Sequence, residues 1–224
     1  MCIASILRLA AALVIGGFSL EGTAASLQYH FERISDNSPE LLGQQLSLEV
    51  EALPGGALFT FRNALGVRSS ITDIYFDDRR RTLFSDIIYQ ADSGVGVSFD
   101  DHAAPVNLPG GQAAGFVASF SGDSNSRSLE QGVLTAGVPS NGVNRLGEWV
   151  SFLGFWAGAT NFDGLLQALS QGDFRVGLHV QGIGSAGASD SYVNQPSAVP
   201  LPAAAWLFAS ALFGFVLMAN RRKI

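Results

Sequence analysis

Apolar and polar positions alternate with period two along much of this chain. Leu46, Leu48 and Val50 alternate with Ser47, Glu49 and Glu51, the mark of a strand buried on one face. Leu53-Pro54-Gly55-Gly56 interrupts the pattern as a turn, and residues 57–62 resume it as the hairpin partner. Residues 27–33, 71–76, 82–89, 95–99, 115–120, 149–157 and 174–181 read as further short strands, punctuated by Gly and Pro. One stretch has helical spacing instead: Asp163 caps it, Leu165, Leu166 and Leu169 share a face, and Gly172 ends it. Many short strands with Gly-rich turns predict a mostly β chain, an antiparallel β-sandwich with one short helix over 163–170. Residues 121–144 are polar and Gly-rich and predict a long exposed loop.

Both ends depart from this alternation. Arg8 is the one charge before Glu21, residues 9–18 are apolar, and Gly22, Thr23, Ala24 and Ala25 are small. That order is the charged region, apolar run and cleavage site of a secretory signal peptide, with the cut after Ala24 or Ala25. At the other end, residues 203–219 carry no charge, and Arg221, Arg222 and Lys223 follow. As a helix those seventeen residues rise about 25 Å, near the roughly 30 Å hydrocarbon thickness of a bilayer. Trp206 sits at headgroup level and the basic cluster on the cytoplasmic side, so a C-terminal transmembrane helix is predicted. The chain therefore divides into a signal peptide (1–25), a β-sandwich body (26–184), a flexible linker (185–198) and the apolar tail (199–224).

Composition narrows the function classes. Between the two ends stand nine Arg, no Lys and 18 acidic residues, a formal charge of −9. Such a body disfavours nucleic acid and anionic membrane surfaces as partners. Cys2, the sole cysteine, lies ahead of the signal's apolar run, so the mature chain has neither disulfide nor thiol chemistry.

Val199, Pro200, Leu201, Pro202 and Ala203, followed by the apolar run and the basic end, resemble the V-P-L-P-A variant of the PEP-CTERM sorting signal of Gram-negative bacteria. The resemblance implies export, passage through the inner membrane, and removal of the tail by an exosortase, an integral-membrane processing enzyme. A plain C-terminal anchor is the rival reading. The stretches 69–78, 96–99, 104–111, 141–144, 147–148, 175–182 and 191–194 are similar, in order, to a β-rich domain recurring in such exported proteins. That pattern usually places Gly after its paired aspartates, where this chain has Arg79-Arg80-Arg81. The resemblance implies a non-enzymatic protein of the periplasm, cell surface or extracellular matrix, associated with exopolysaccharide or biofilm, and carries no catalytic residues.

Motifs for chemistry are sparse. Gly182 to Gly187 match G-x-G-x-x-G, but no helix pattern follows, and the stretch reads as a flexible exit. His30, His102 and His179 are far apart, and His179 lies in an alternating strand, which suits a hydrogen-bonded structural role. No elbow or zinc motif accompanies them. Asp73, Asp77 and Asp78 cluster at a strand end, and Asp100 and Asp101 adjoin His102. If they converge they form a candidate calcium site, since calcium takes six to eight oxygens. Otherwise they are solvated turn carboxylates. The alternative to a matrix protein is a carbohydrate-binding module or weak glycan-acting enzyme, for which Trp149, Trp156 and Tyr192 are candidate platform aromatics.

Overall fold

The computed structural model describes residues 26–64, 66–124 and 137–195. Among the described residues ten strands, one α-helix and a short 3-10 helix (Gly111–Ala114, between β6 and β7) are formed, the strands and α-helix in chain order being β1 (Ser26–Arg33), β2 (Leu46–Leu53), β3 (Gly56–Asn63), β4 (Ser70–Asp78), β5 (Phe84–Asp92), β6 (Asp100–Asp101), β7 (Phe120–Asp123), β8 (Trp149–Trp156), α1 (Phe162–Gln171), β9 (Phe174–Ile183) and β10 (Ala188–Asn194). The alternation of residues 46–50 is realised in β2, where Leu46, Leu48 and Val50 are wholly buried. Its hairpin with β3 runs in register from Leu46–Asn63 to Leu53–Gly56.

The strands form one hydrogen-bonded sheet in the order β5-β8-β3-β2-β1-β10-β9-β4-β7-β6, and every strand pair is antiparallel. The sequence predicts two stacked sheets; the structure joins its two halves through β1. Residues 26–30 of β1 pair with β2, and residues 31–33 pair with β10. The halves then face each other across rings. Phe59 of β3 lies 5.3 Å from Phe76 of β4 and 5.8 Å from Phe174 of β9, centroid to centroid, and Phe152 of β8 lies 5.7 Å from Phe76. Most such contacts here are edge-on or tilted, the arrangement that ring quadrupoles favour. Gly122 makes room for one of them, because a Cβ there would sit 2.5 Å from the Phe152 ring. Where the free ends of the sheet approach, the Asp101 carboxylate accepts the Tyr89 N–H of β5, a charged plug on an open edge.

Several predicted elements are corrected. The helix is capped by Asn161, whose side chain accepts the Gly164 N–H at 3.0 Å, while Asp163 lies in the first turn. Residues 95–99 form no strand, because Gly94 and Gly96 take positive φ and turn the chain, although Val97 and Phe99 still reach the core. Strand β7 begins at Phe120, later than predicted, and takes the first residues of the expected 121–144 loop. The largest correction concerns the linker expected at 185–198. Gly182, Gly184 and Gly187 take positive φ and close a hairpin, and the chain returns as β10 between β1 and β9. The body thus extends to Asn194. Among the described residues no helix is long and apolar enough to cross a membrane. The predicted signal peptide (1–25), Val199 to Ala203, and the tail with Arg221, Arg222 and Lys223 lie outside the described residues.

Candidate functional site

Strand β4 is buried along its whole length, and its two faces differ. Ile74 and Phe76 point into the aromatic core. Asp73, Tyr75 and Asp77 share the opposite face, opposite His179, Gly177 and Arg175 of β9 in register. Period-two geometry ordinarily delivers such a row to water. Here residues 103–116 fold over it, and Tyr75, Ala103, Leu108, Phe116 and Val193 form a second, smaller core. Gly177 permits the cover, since a Cβ there would meet Leu108 at 2.7 Å.

Asp77 and Asp73 on this face each have partners, although Oδ1 of Asp73 is buried with no hydrogen-bond partner among the described residues. Arg175 directs Nε (3.1 Å) and Nη2 (2.5 Å) at Oδ2 of Asp77. Its remaining donors reach the carbonyls of Ala114 and Gly115, and its guanidinium lies 5.2 Å from the centre of the Phe116 ring. Asp73 Oδ2 accepts the Thr72 hydroxyl at 2.7 Å and meets Nδ1 of His179 at 2.9 Å. A carboxylate can only accept, so Nδ1 carries the proton of that bond. Tyr75 donates its hydroxyl to the Pro105 carbonyl at 2.9 Å. Burial, and then the charges of Asp73 and Asp123, push its phenol far above the ordinary tyrosine range.

The three aspartates proposed for calcium do not converge. Asp73 and Asp77 lie four residues apart on one strand, about 13 Å of extended chain, whereas calcium–oxygen bonds are about 2.3–2.6 Å long. Asp78 belongs to the other face and accepts the N–H groups of Thr82, Leu83 and Phe84 at 2.9–3.3 Å, tying the turn into β5. Asp100 pairs in register with Asp123, and Asp101 is spent on Tyr89. Among the described residues no three His, Cys, Asp or Glu side chains form a group able to hold a metal ion. Nor do hydrogen bonds of the described residues bring a Ser or Thr hydroxyl to the far nitrogen of His179, as a Ser-His-Asp set requires.

The platform aromatics fare similarly. Tyr192 is fully buried, Trp156 stacks on Phe84 at 4.9 Å, and Trp149 is half-buried.

The sequence reading missed Asp190 altogether. This residue is buried on β10, and its carboxylate accepts from Ser35 Oγ (2.8 Å) and from the N–H groups of Asn37 (2.8 Å) and Ser38 (3.1 Å). Arg33 approaches it at 3.7 Å. The one sequence signal was Tyr192-Val193, strand-favouring residues inside a polar stretch.

The chain matches no family model, no curated protein and no solved structure.

Proposed function

We propose that this chain is an exported surface or extracellular-matrix protein of a Gram-negative bacterium, non-enzymatic and trimmed at both ends. A signal peptide is removed after Ala24 or Ala25, and an exosortase removes the tail that follows Val199 to Ala203. What supports it is the order of features at the two ends: Arg8, the apolar run 9–18 and the small residues 22–25 in front, and Val199 to Ala203, the uncharged run and Arg221, Arg222 and Lys223 behind. Between these ends the described body includes β1 (Ser26–Arg33) and β10 (Ala188–Asn194). These strands are neighbours in the sheet, and the Gln195 N–H donates to the His30 carbonyl at 3.0 Å, which secures the C-terminal end of the body. The commitment of its buried carboxylates to structural partners supports a scaffold more than a catalyst. In its finer form the body is a sandwich whose two halves share one sheet.

The test compares hosts with and without exosortase, and the wild-type chain with a Pro200→Ala, Pro202→Ala variant. Wild-type protein is expected to leave the membrane fraction only where exosortase is present, and the variant to stay behind with its tail attached. Equal release from the host lacking exosortase would defeat the reading.

A further inference from the structure

Three of the nine arginines of this acidic body stand side by side. Arg79, Arg80 and Arg81 follow one another at the turn from β4 to β5, and all three are exposed. Arg80 makes a solvent-exposed pair with Asp173 at 3.2 Å. Among the described residues neither Arg79 nor Arg81 has a carboxylate partner. Among the described residues the Arg79 side chain makes one long hydrogen bond, 3.4 Å, to the Gly115 carbonyl, while its N–H donates to the Asp173 carbonyl at 3.3 Å. Arg81 holds a left-handed backbone, φ 50°, while its N–H closes the turn on Asp78 O at 2.8 Å. Glycine takes that conformation without strain, and an L side chain does not. A strained arginine where glycine would serve better is the kind of outlier from which a role is inferred.

The two unpaired arginines border an open concavity of about 440 Å³, with Gly115, Val117 and Ser119 on its other wall. The carboxylates nearest to it are already engaged, Asp77 by Arg175 and Asp78 by three backbone N–H groups. We propose that this turn and concavity bind a carboxylate-bearing polysaccharide, a polyuronate chain. Guanidinium forks match carboxylates with two parallel hydrogen bonds. Val117, 62% exposed, offers an apolar patch for the C–H face of a sugar ring. The concavity has no aromatic lining, which disfavours a lipid or aromatic ligand. A nucleic acid, with one charge per roughly 1.7 Å, would extend past three arginines onto a body of charge −9. A polyuronate carries its charges farther apart between neutral hydroxyls, and so fits a small basic patch. The proposal rests on export into a polymer layer and supplies that reading with a partner.

The experiment is affinity electrophoresis of the mature secreted protein through gels containing polygalacturonate, neutral dextran or polyphosphate. Retardation is expected in polygalacturonate alone, relieved by salt. Arg79→Gln and Arg81→Gly should each weaken binding about tenfold, in line with loss of one charge-assisted contact. Arg81→Gly also removes the left-handed strain, so its melting temperature should hold or rise while binding falls. A merely structural Arg81 would show the reverse. Lack of retardation, equal retardation in dextran, stronger retardation in polyphosphate, or full binding by both variants would each overturn the proposal. A protein trimmed at both ends that ignores polygalacturonate refutes this partner alone, and one that binds but keeps its tail refutes the processing alone.

Discussion

The inner and outer faces of β4 solve the same problem with different chemistry. Inward, Phe76 meets Phe59, Phe61, Phe152 and Phe174, a set of non-directional contacts. Outward, Asp77 and Asp73 are just as buried but depend on one arginine and one histidine. Loss of a ring leaves a cavity that neighbours partly fill. Loss of a buried charge's partner leaves a charge that neighbours cannot neutralise. The inner face is robust by number and the outer face by pairing.

That contrast is open to direct attack. Phe76→Ala and Arg175→Ala should each cost about 3–5 kcal/mol, read as unfolding free energy in denaturant. Adding Asp77→Leu to an Arg175→Leu change should then recover much of the outer loss, because no charge remains stranded. No second substitution should so restore Phe76→Ala. If the outer double variant is no better than the single, pairing is not what sustains that face.

Asp190→Ala carries the same logic to β10. It leaves two backbone N–H groups and the Ser35 hydroxyl without their acceptor, and about 3 kcal/mol of destabilisation is expected. His179→Ala should cost less, about 2 kcal/mol, since Thr72 still donates to Asp73. Thermal melts rank the two.

The smallest effect concerns pH. Burial raises the Asp101 carboxyl above its ordinary value of 3.8, against the lowering effect of the Tyr89 N–H. The folded chain therefore binds the extra proton over the window above 3.8, and Asp101 costs stability as pH rises through it. Asp101→Asn keeps an acceptor for Tyr89 and removes the titration. Its melting temperature should gain on wild type with rising pH through that window, and the gain should shrink below it. A gap independent of pH would remove Asp101 as its source.

The same two faces explain what the sequence displayed. Alternation at Leu46, Leu48 and Val50 marks an apolar face, and so do Ile74 and Phe76, because apolar burial leaves its period in the chain. Burial of Asp73 and Asp77 leaves no such trace. It depends on Leu108 and Phe116 arriving from a loop more than thirty residues downstream. Adjacency in sequence also misled: Asp77 and Asp78 are neighbours, yet a strand sends them to opposite faces. Strand β10 was hidden by glycines that read as an exit and serve as a hairpin. The helix was legible from Leu165 and Leu169, though Asn161 rather than Asp163 caps it.

Two-ended trimming around an intact β body is tested most directly by the intact mass of the secreted protein. The expected species begins near Ser26, retains β10 through Asn194, and lacks Trp206 and everything beyond it. A secreted species still carrying Arg221, Arg222 and Lys223 in a host that has exosortase would contradict it.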